Sequence, residues 1–188
     1  RLSPKGDPGS LTLSTSAPMI INGNNHFQTM HEVIEIPLNT LLLGIEHGPI
    51  ALSSEGSVKL NQEIDCSYTS PYSLSLSSEG IEGITLLGSL KNKGDGPLTF
   101  NACNSDLVLQ GKIESKGDLT LESGGQILLA GTHSKPSSLK TSVGNIKLSA
   151  LKGIDLFPLS QIETQEGNLL FSSAGPIFFQ EQSKINLS

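Results

Sequence analysis

Residues 117–131 read GDLTLESGGQILLAG. Leu119-Thr-Leu121 and Ile127-Leu-Leu129 are short runs whose apolar residues fall two positions apart, which marks a β-strand with one face buried. Between them stands Glu-Ser-Gly-Gly, too long for a two-residue hairpin turn but rich in residues that tolerate tight bends. The fold follows from how often this phrase returns.

The first run recurs as Ile50-Ala-Leu52, Leu74-Ser-Leu76, Leu98-Thr-Phe100, Leu139-Lys-Thr141 and Leu169-Leu-Phe171. The second recurs as Val58-Lys-Leu60, Ile84-Thr-Leu86, Leu107-Val-Leu109, Ile146-Lys-Leu148 and Ile177-Phe-Phe179. First and second runs start 8, 10, 9, 8, 7 and 8 residues apart, and successive units start 24, 24, 21, 20 and 30 apart. Hairpin sandwiches need no fixed period, whereas a solenoid stacks each strand in parallel on its counterpart one coil below. The expectation is an all-β chain: a parallel β-solenoid (β-helix) with coils of about 20–24 residues and little or no α-helix. At about 22 residues per coil the chain makes about eight coils, a rod about 40 Å long.

Three segments are expected. Residues 1–10 form a flexible N-terminal segment, 11–48 form irregular first coils or an N-terminal cap, and 49–188 form the regular solenoid. The opening without methionine reads as a fragment of a longer protein. The best helical candidate, Phe27–Ile36, carries Val33, Ile34 and Ile36 and stops at Pro37, so it amounts to one or two turns at most. The long step holds KGIDLFPLSQIETQ, residues 152–165, read as a partial coil or a loop leaving the wall. Residues 169–188 are expected to form a last, bare coil whose free edge could mediate homo-oligomer formation.

Composition agrees with a narrow core of thin layers. The 188 residues include 29 leucines, 27 serines and 20 glycines, with 4% aromatic residues and no tryptophan. Net charge is −6 and the only arginine is Arg1, so the basic stripe of a nucleic-acid binder is missing. Lys91 and Lys93 are the nearest approach to a basic cluster. No apolar stretch approaches the ~20 residues of a membrane-spanning helix.

Gly117–Gly131 and GNLLFSSAGPIFFQ (Gly167–Gln180) resemble the filamentous-haemagglutinin type of bacterial secreted β-helix, across about residues 48–188. GGQI at Gly124–Ile127 and FNAC at Phe100–Cys103 are similar to the GGA-I and F-x-x-N tetrapeptides of polymorphic autotransporter passengers. Gln126 replaces the alanine and Cys103 the asparagine. KGDPGS at Lys5–Ser10 is similar to collagen-type triplets preceding trimeric β-fibres in phage tails, but two triplets are few and a plain Pro/Gly linker is the preferred reading. The first resemblance implies a secreted or cell-surface protein, associated with the bacterial outer membrane. Its partners would be a host surface protein or glycan, or further coils of the same chain.

Catalysis has one candidate. LSSEG occurs at Leu52–Gly56 and Leu76–Gly80, so Glu55 and Glu79 stand on adjacent coils about 4.8 Å apart in backbone. Retaining glycosidases use two carboxyl groups about 5 Å apart. The competing reading, solvated corner residues, is preferred because no aromatic platform accompanies them. His26, His31, His47 and His133 are too scattered for a metal set, and His26 and His31 with Glu32 and Glu35 read as a turn or cap surface. Cys66 and Cys103 lack metal-type spacing and read as two buried free thiols, with a disulfide as the alternative. No cofactor or metal is expected. The function expected is structural and adhesive, with a trimeric β-fibre segment or a carbohydrate-active β-helix enzyme as alternatives.

Overall fold

The computed structural model describes residues 9–23, 29–30, 33–61, 64–132 and 134–188. The expected flexible segment therefore falls almost wholly outside them. The chain opens with β1 (Leu11–Thr15), β2 (Met19–Asn22), β3 (Thr29–Met30) and β4 (Val33–Pro37). Helix α1 (Leu38–Ile45) follows. Six three-sided turns come next. They are β5 (Ile50–Ser54), β6 (Val58–Leu60) and β7 (Asp65–Tyr68); then β8 (Leu74–Ser78), β9 (Ile84–Leu86) and β10 (Ser89–Asn92). The middle turns are β11 (Leu98–Ala102), β12 (Leu107–Leu109) and β13 (Lys112–Ser115); then β14 (Leu119–Ser123), β15 (Gln126–Leu129) and β16 (Ser138–Thr141). The last two are β17 (Ile146–Ala150), β18 (Gly153–Leu156) and β19 (Gln161–Thr164); then β20 (Leu169–Ser173), β21 (Ile177–Phe179) and β22 (Lys184–Leu187).

Three parallel sheets form the walls. The first runs β1-β5-β8-β11-β14-β17-β20, the second runs from β21 through β6, β2 and β4, and the third runs β22-β19-β16-β13-β10-β7. Among the described residues only β3, against β4, is antiparallel. The parallel β-solenoid is confirmed, including the ladders joining Leu98–Phe100 to Leu119–Leu121 and Leu107–Leu109 to Ile127–Leu129.

The phasing of the repeat needs correction. Each turn has a third strand, so Leu139-Lys-Thr141 lies in the third sheet, stacked on Ile113-Glu-Ser115. Ile146-Lys-Leu148 lies in the first sheet, on Leu119-Thr-Leu121. Residues 152–165 then supply β18 and β19 of an ordinary turn, neither a partial coil nor a loop. The true steps along the first sheet are 24, 24, 21, 27 and 23 residues, and the turns number six rather than eight. The third strand escapes the sequence reading because it carries one apolar inward residue instead of two. Its inward pairs are Leu90 with Asn92, Ile113 with Ser115, Leu139 with Thr141 and Ile162 with Thr164.

Inward positions form unbroken columns. Leu52, Leu76, Phe100, Leu121 and Leu148 stack along the first sheet; Leu60, Leu86, Leu109, Leu129 and Leu156 along the second. All ten are buried in one core. Corners stack too. Ser54, Ser78 and Ser123 turn inward after their strands and bond corner backbone, Ser78 Oγ donating to the Gly56 carbonyl at 2.7 Å. Gly111 has no room for a side chain: a Cβ there would lie 1.8 Å from the Gly88 carbonyl oxygen of the turn below.

The helix is displaced from its expected place. The last four residues of the candidate, Val33 to Ile36, belong to strand β4 (Val33–Pro37), since β-branched residues favour the pleated sheet. Positions 24–28 and 31–32 lie outside the described residues. Helix formation starts after Pro37 in the Leu-rich LNTLLLGI, and Leu41 and Ile45, one turn apart, enter the core. The Ser70 hydroxyl donates to the Ile45 carbonyl at 2.8 Å, tying α1 to the chain just beyond β7. At the other end β20–β22 form a last turn in which Ile177, Phe178, Phe179, Ile185 and Leu187 are exposed.

Candidate functional site on the third sheet

The outward face of the third sheet carries two columns set by register. One is Asp65, Ser89, Lys112, Ser138, Gln161 and Lys184; the other is Ser67, Lys91, Glu114, Lys140, Glu163 and Asn186. The second column alternates in sign over four rungs, and its members pair up the sheet. Lys91 bonds Glu114, and Lys140 Nζ lies 2.7 Å from Glu163 Oε1. At the corner beyond, Lys116 Nζ lies 2.8 Å from Asp95 Oδ1. These pairs are half-exposed, and each contributes under about 1 kcal/mol to stability. Lys93, Lys112 and Lys135 form no ion pair with a described residue.

Shallow hollows mark this flank. One, of about 260 Å³, lies among Lys91, Lys93, Glu114, Lys116, Lys140 and Ser142. Another, of about 220 Å³, is bounded by Ser89, Gln110, Lys112 and the corner residues Ser134, Lys135 and Pro136. That corner is unusual. Eight residues, 130–137, separate β15 from β16, where the two turns immediately below use two (87–88 and 110–111) and the first turn and the turns above use four. Thr132 and Lys135 exchange backbone hydrogen bonds at 2.8 and 3.1 Å, folding it on itself.

Glu55 and Glu79 do come onto consecutive rungs, one residue past the partners Ser54 and Ser78. Both are exposed corner residues. Their amides bond the rung below, to Thr15 and Ser54 carbonyls at 2.8 Å each, while neither carboxylate has a hydrogen bond or ion pair among the described residues. The next rung puts Cys103 in their place, whose amide bonds Ser78. The stack of carboxylates is thus two deep, on a corner away from the hollows of the third sheet.

The cysteines depart from expectation in burial. Both are free, but Cys66 is half-buried and Cys103 is exposed. Cys103 follows the inward Ala102 and so turns outward at the corner, with Sγ 3.6 Å from Ser77 Oγ. Burial, aided by the Asp65 charge, pushes the Cys66 thiol up to about 11. Burial also raises Tyr68 well above the usual phenol, with Cys66 adding to it. His47 is exposed beyond α1, and Glu35 accepts a 2.7 Å hydrogen bond from Asn22 Nδ2. His26, His31, Glu32 and His133 lie outside the described residues. Among the described residues no His, Cys, Asp and Glu gather as a metal set, and no helix is long and apolar enough to cross a membrane.

The sequence reading singled out Lys91 and Lys93 but missed Lys112, Lys116, Lys135 and Lys140 beside them. Only the period of the third strand could have brought these together. No family model, curated protein or solved structure matches the chain.

Proposed function

We propose that this chain is a non-catalytic structural and adhesive segment of an exported bacterial surface or virulence protein, working at the cell surface in contact with a host or neighbouring cell. The observation that carries this reading is the stack of six three-sided turns, whose third sheet presents a flat, charge-laddered flank with shallow hollows. A parallel ladder satisfies its backbone groups between turns, so the rod holds its outer columns rigidly in register. Such a scaffold suits extended contact, where many modest interactions add along one surface. The solvent-facing setting of Glu55 and Glu79, whose carboxylates have no hydrogen bond or ion pair among the described residues, favours contact over hydrolysis, since hydrolysis needs a held and oriented substrate.

The test is binding of the purified chain to cultured host cells, run beside an assay for reducing-end release from polysaccharides. Saturable binding, retained in a Glu55→Gln/Glu79→Gln double variant, is the expected result. Glycan cleavage that vanishes in the double variant would reinstate the enzyme reading, and a trimeric solution mass at all concentrations would favour the fibre.

A further inference from the structure

We infer that the outer flank of the third sheet, bordered by the 130–137 corner, is the contact surface, and that it takes an extended acidic polysaccharide. This deepens the contact function proposed above and rests on it. The chain carries net charge −6, yet Lys91, Lys93, Lys112, Lys116, Lys135 and Lys140 gather on this sheet and its corners, with Asp65, Asp95, Glu114, Asp118 and Glu163 beside them among the described residues. With Lys184, which ends the outward column of the same sheet, seven of the eleven lysines sit on one side of an acidic rod. Lys93, Lys112 and Lys135 form no ion pair with a described residue, so their ammonium groups are available to an outside anion.

The sign pattern narrows the partner. A continuous phosphate backbone would meet Glu114 and Glu163 in repulsion at alternate rungs, and no aromatic side chain lines either hollow for base stacking. A membrane surface would require protruding apolar residues to insert; the first hollow is lined by Lys, Glu, Ser and Asn, and in the second Ile64 is buried and Leu87 half-buried beneath Ser89, Gln110, Lys112, Ser134 and Lys135. An acidic sugar chain meets both signs. Its carboxylates or sulfates suit the lysines, while its hydroxyls can donate to the Glu114 and Glu163 carboxylates. Rungs repeat at about 4.8 Å, which places Lys91 and Lys140, two rungs apart, about 10 Å from each other along the axis. A polymer with at least one charge per disaccharide can then engage alternate rungs of this column without bending. Ser134, Lys135 and Pro136 of the long corner border the second hollow, and insertions in repeat proteins commonly lie on a binding face.

The experiment measures binding to chondroitin sulfate, polygalacturonate and neutral dextran, for the parent chain and two triple variants. Lys93→Ala/Lys112→Ala/Lys135→Ala strips the flank; Lys59→Ala/Lys147→Ala/Lys152→Ala strips three lysines elsewhere, at equal change of net charge. The expected result is salt-sensitive binding of one or both acidic polymers and none of dextran. The flank variant should bind about tenfold more weakly and the control variant within about twofold of the parent. Preference between the two acidic polymers distinguishes sulfate from carboxylate as the recognised group. Equal losses in both variants, equal dextran binding, or no acidic-polymer binding by a parent chain that still binds cells would overturn this assignment and leave the contact function standing. Absence of cell binding altogether would remove the function on which it rests.

Discussion

Replacing Leu121 by alanine opens a hole in the middle of the rod. Leu121 is fully buried, with Phe100 as its register partner below and Leu148 above. Backbone ladders on both sides hold those neighbours one strand spacing away, so the surrounding turns cannot close over the missing methyl groups. Leu→Ala in a core costs about 2–5 kcal/mol, more where collapse is prevented, and a value of about 3–4 kcal/mol is expected here. For a chain of this size that lowers the midpoint by about 6–15 °C. Leu170→Ala is the control, since Leu170 is 54% exposed on the outward side of β20 and should shift stability by under about 0.5 kcal/mol. Urea and thermal unfolding followed by far-ultraviolet circular dichroism measure both. Because coupling in a solenoid is chiefly between neighbouring turns, the Leu121 variant should also broaden the transition or split it in two. A loss under 1 kcal/mol, or equal losses at both positions, would refute the argument that the stacked column holds this fold.

The corners should respond in proportion to what stacks on them. Gly111→Ala forces a Cβ against the backbone of Gly88 and should cost about 1–3 kcal/mol by denaturant titration, whereas Gly9→Ala, with open space around it, should be neutral. Asn145 links rungs by donating to Asp118 Oδ1 at 3.0 Å and accepting from the Asn168 amide at 2.9 Å, so Asn145→Ala should cost about 1 kcal/mol, with the loss located by hydrogen exchange at the amides of residues 145 and 168. At pH 8 a thiol reagent should label Cys103 well before Cys66, as read by mass spectrometry of peptides. The Cys66 thiol titrates near 9 when unfolded and near 11 when folded, so the folded chain keeps a proton that the unfolded chain loses in between. Its contribution to stability is present below pH 9 and disappears as pH rises to 11, and a Cys66→Ser variant should lack this part of the alkaline decline.

Much of the architecture was legible in the sequence because parallel stacking repeats the same local demand at every rung. Leu119-Thr-Leu121 and Ile127-Leu-Leu129 announce strands by two apolar residues at period two, and their recurrence announces the stack. The bend residues of LESGG announce a corner, since Ser123 must turn inward to bond backbone and glycine must pass close to the turn below. Local chemistry sufficed for those features. The third wall was not legible, because its strands halve the apolar signal by placing Asn92, Ser115, Thr141 and Thr164 inward, and so the unit at Leu139 and Ile146 was read out of phase, while Leu169 and Ile177 fall in the first and second sheets as expected. The charged flank lay further still from view. Lys91 and Glu114, or Lys140 and Glu163, are 23 residues apart and have no local relation to each other. Their pairing depends on corner lengths of two, four or five residues, which sum to a register only when every turn closes on the same three walls. Side-chain period two is a property of one strand, whereas register is a property of the closed coil, and the tertiary structure alone decides it.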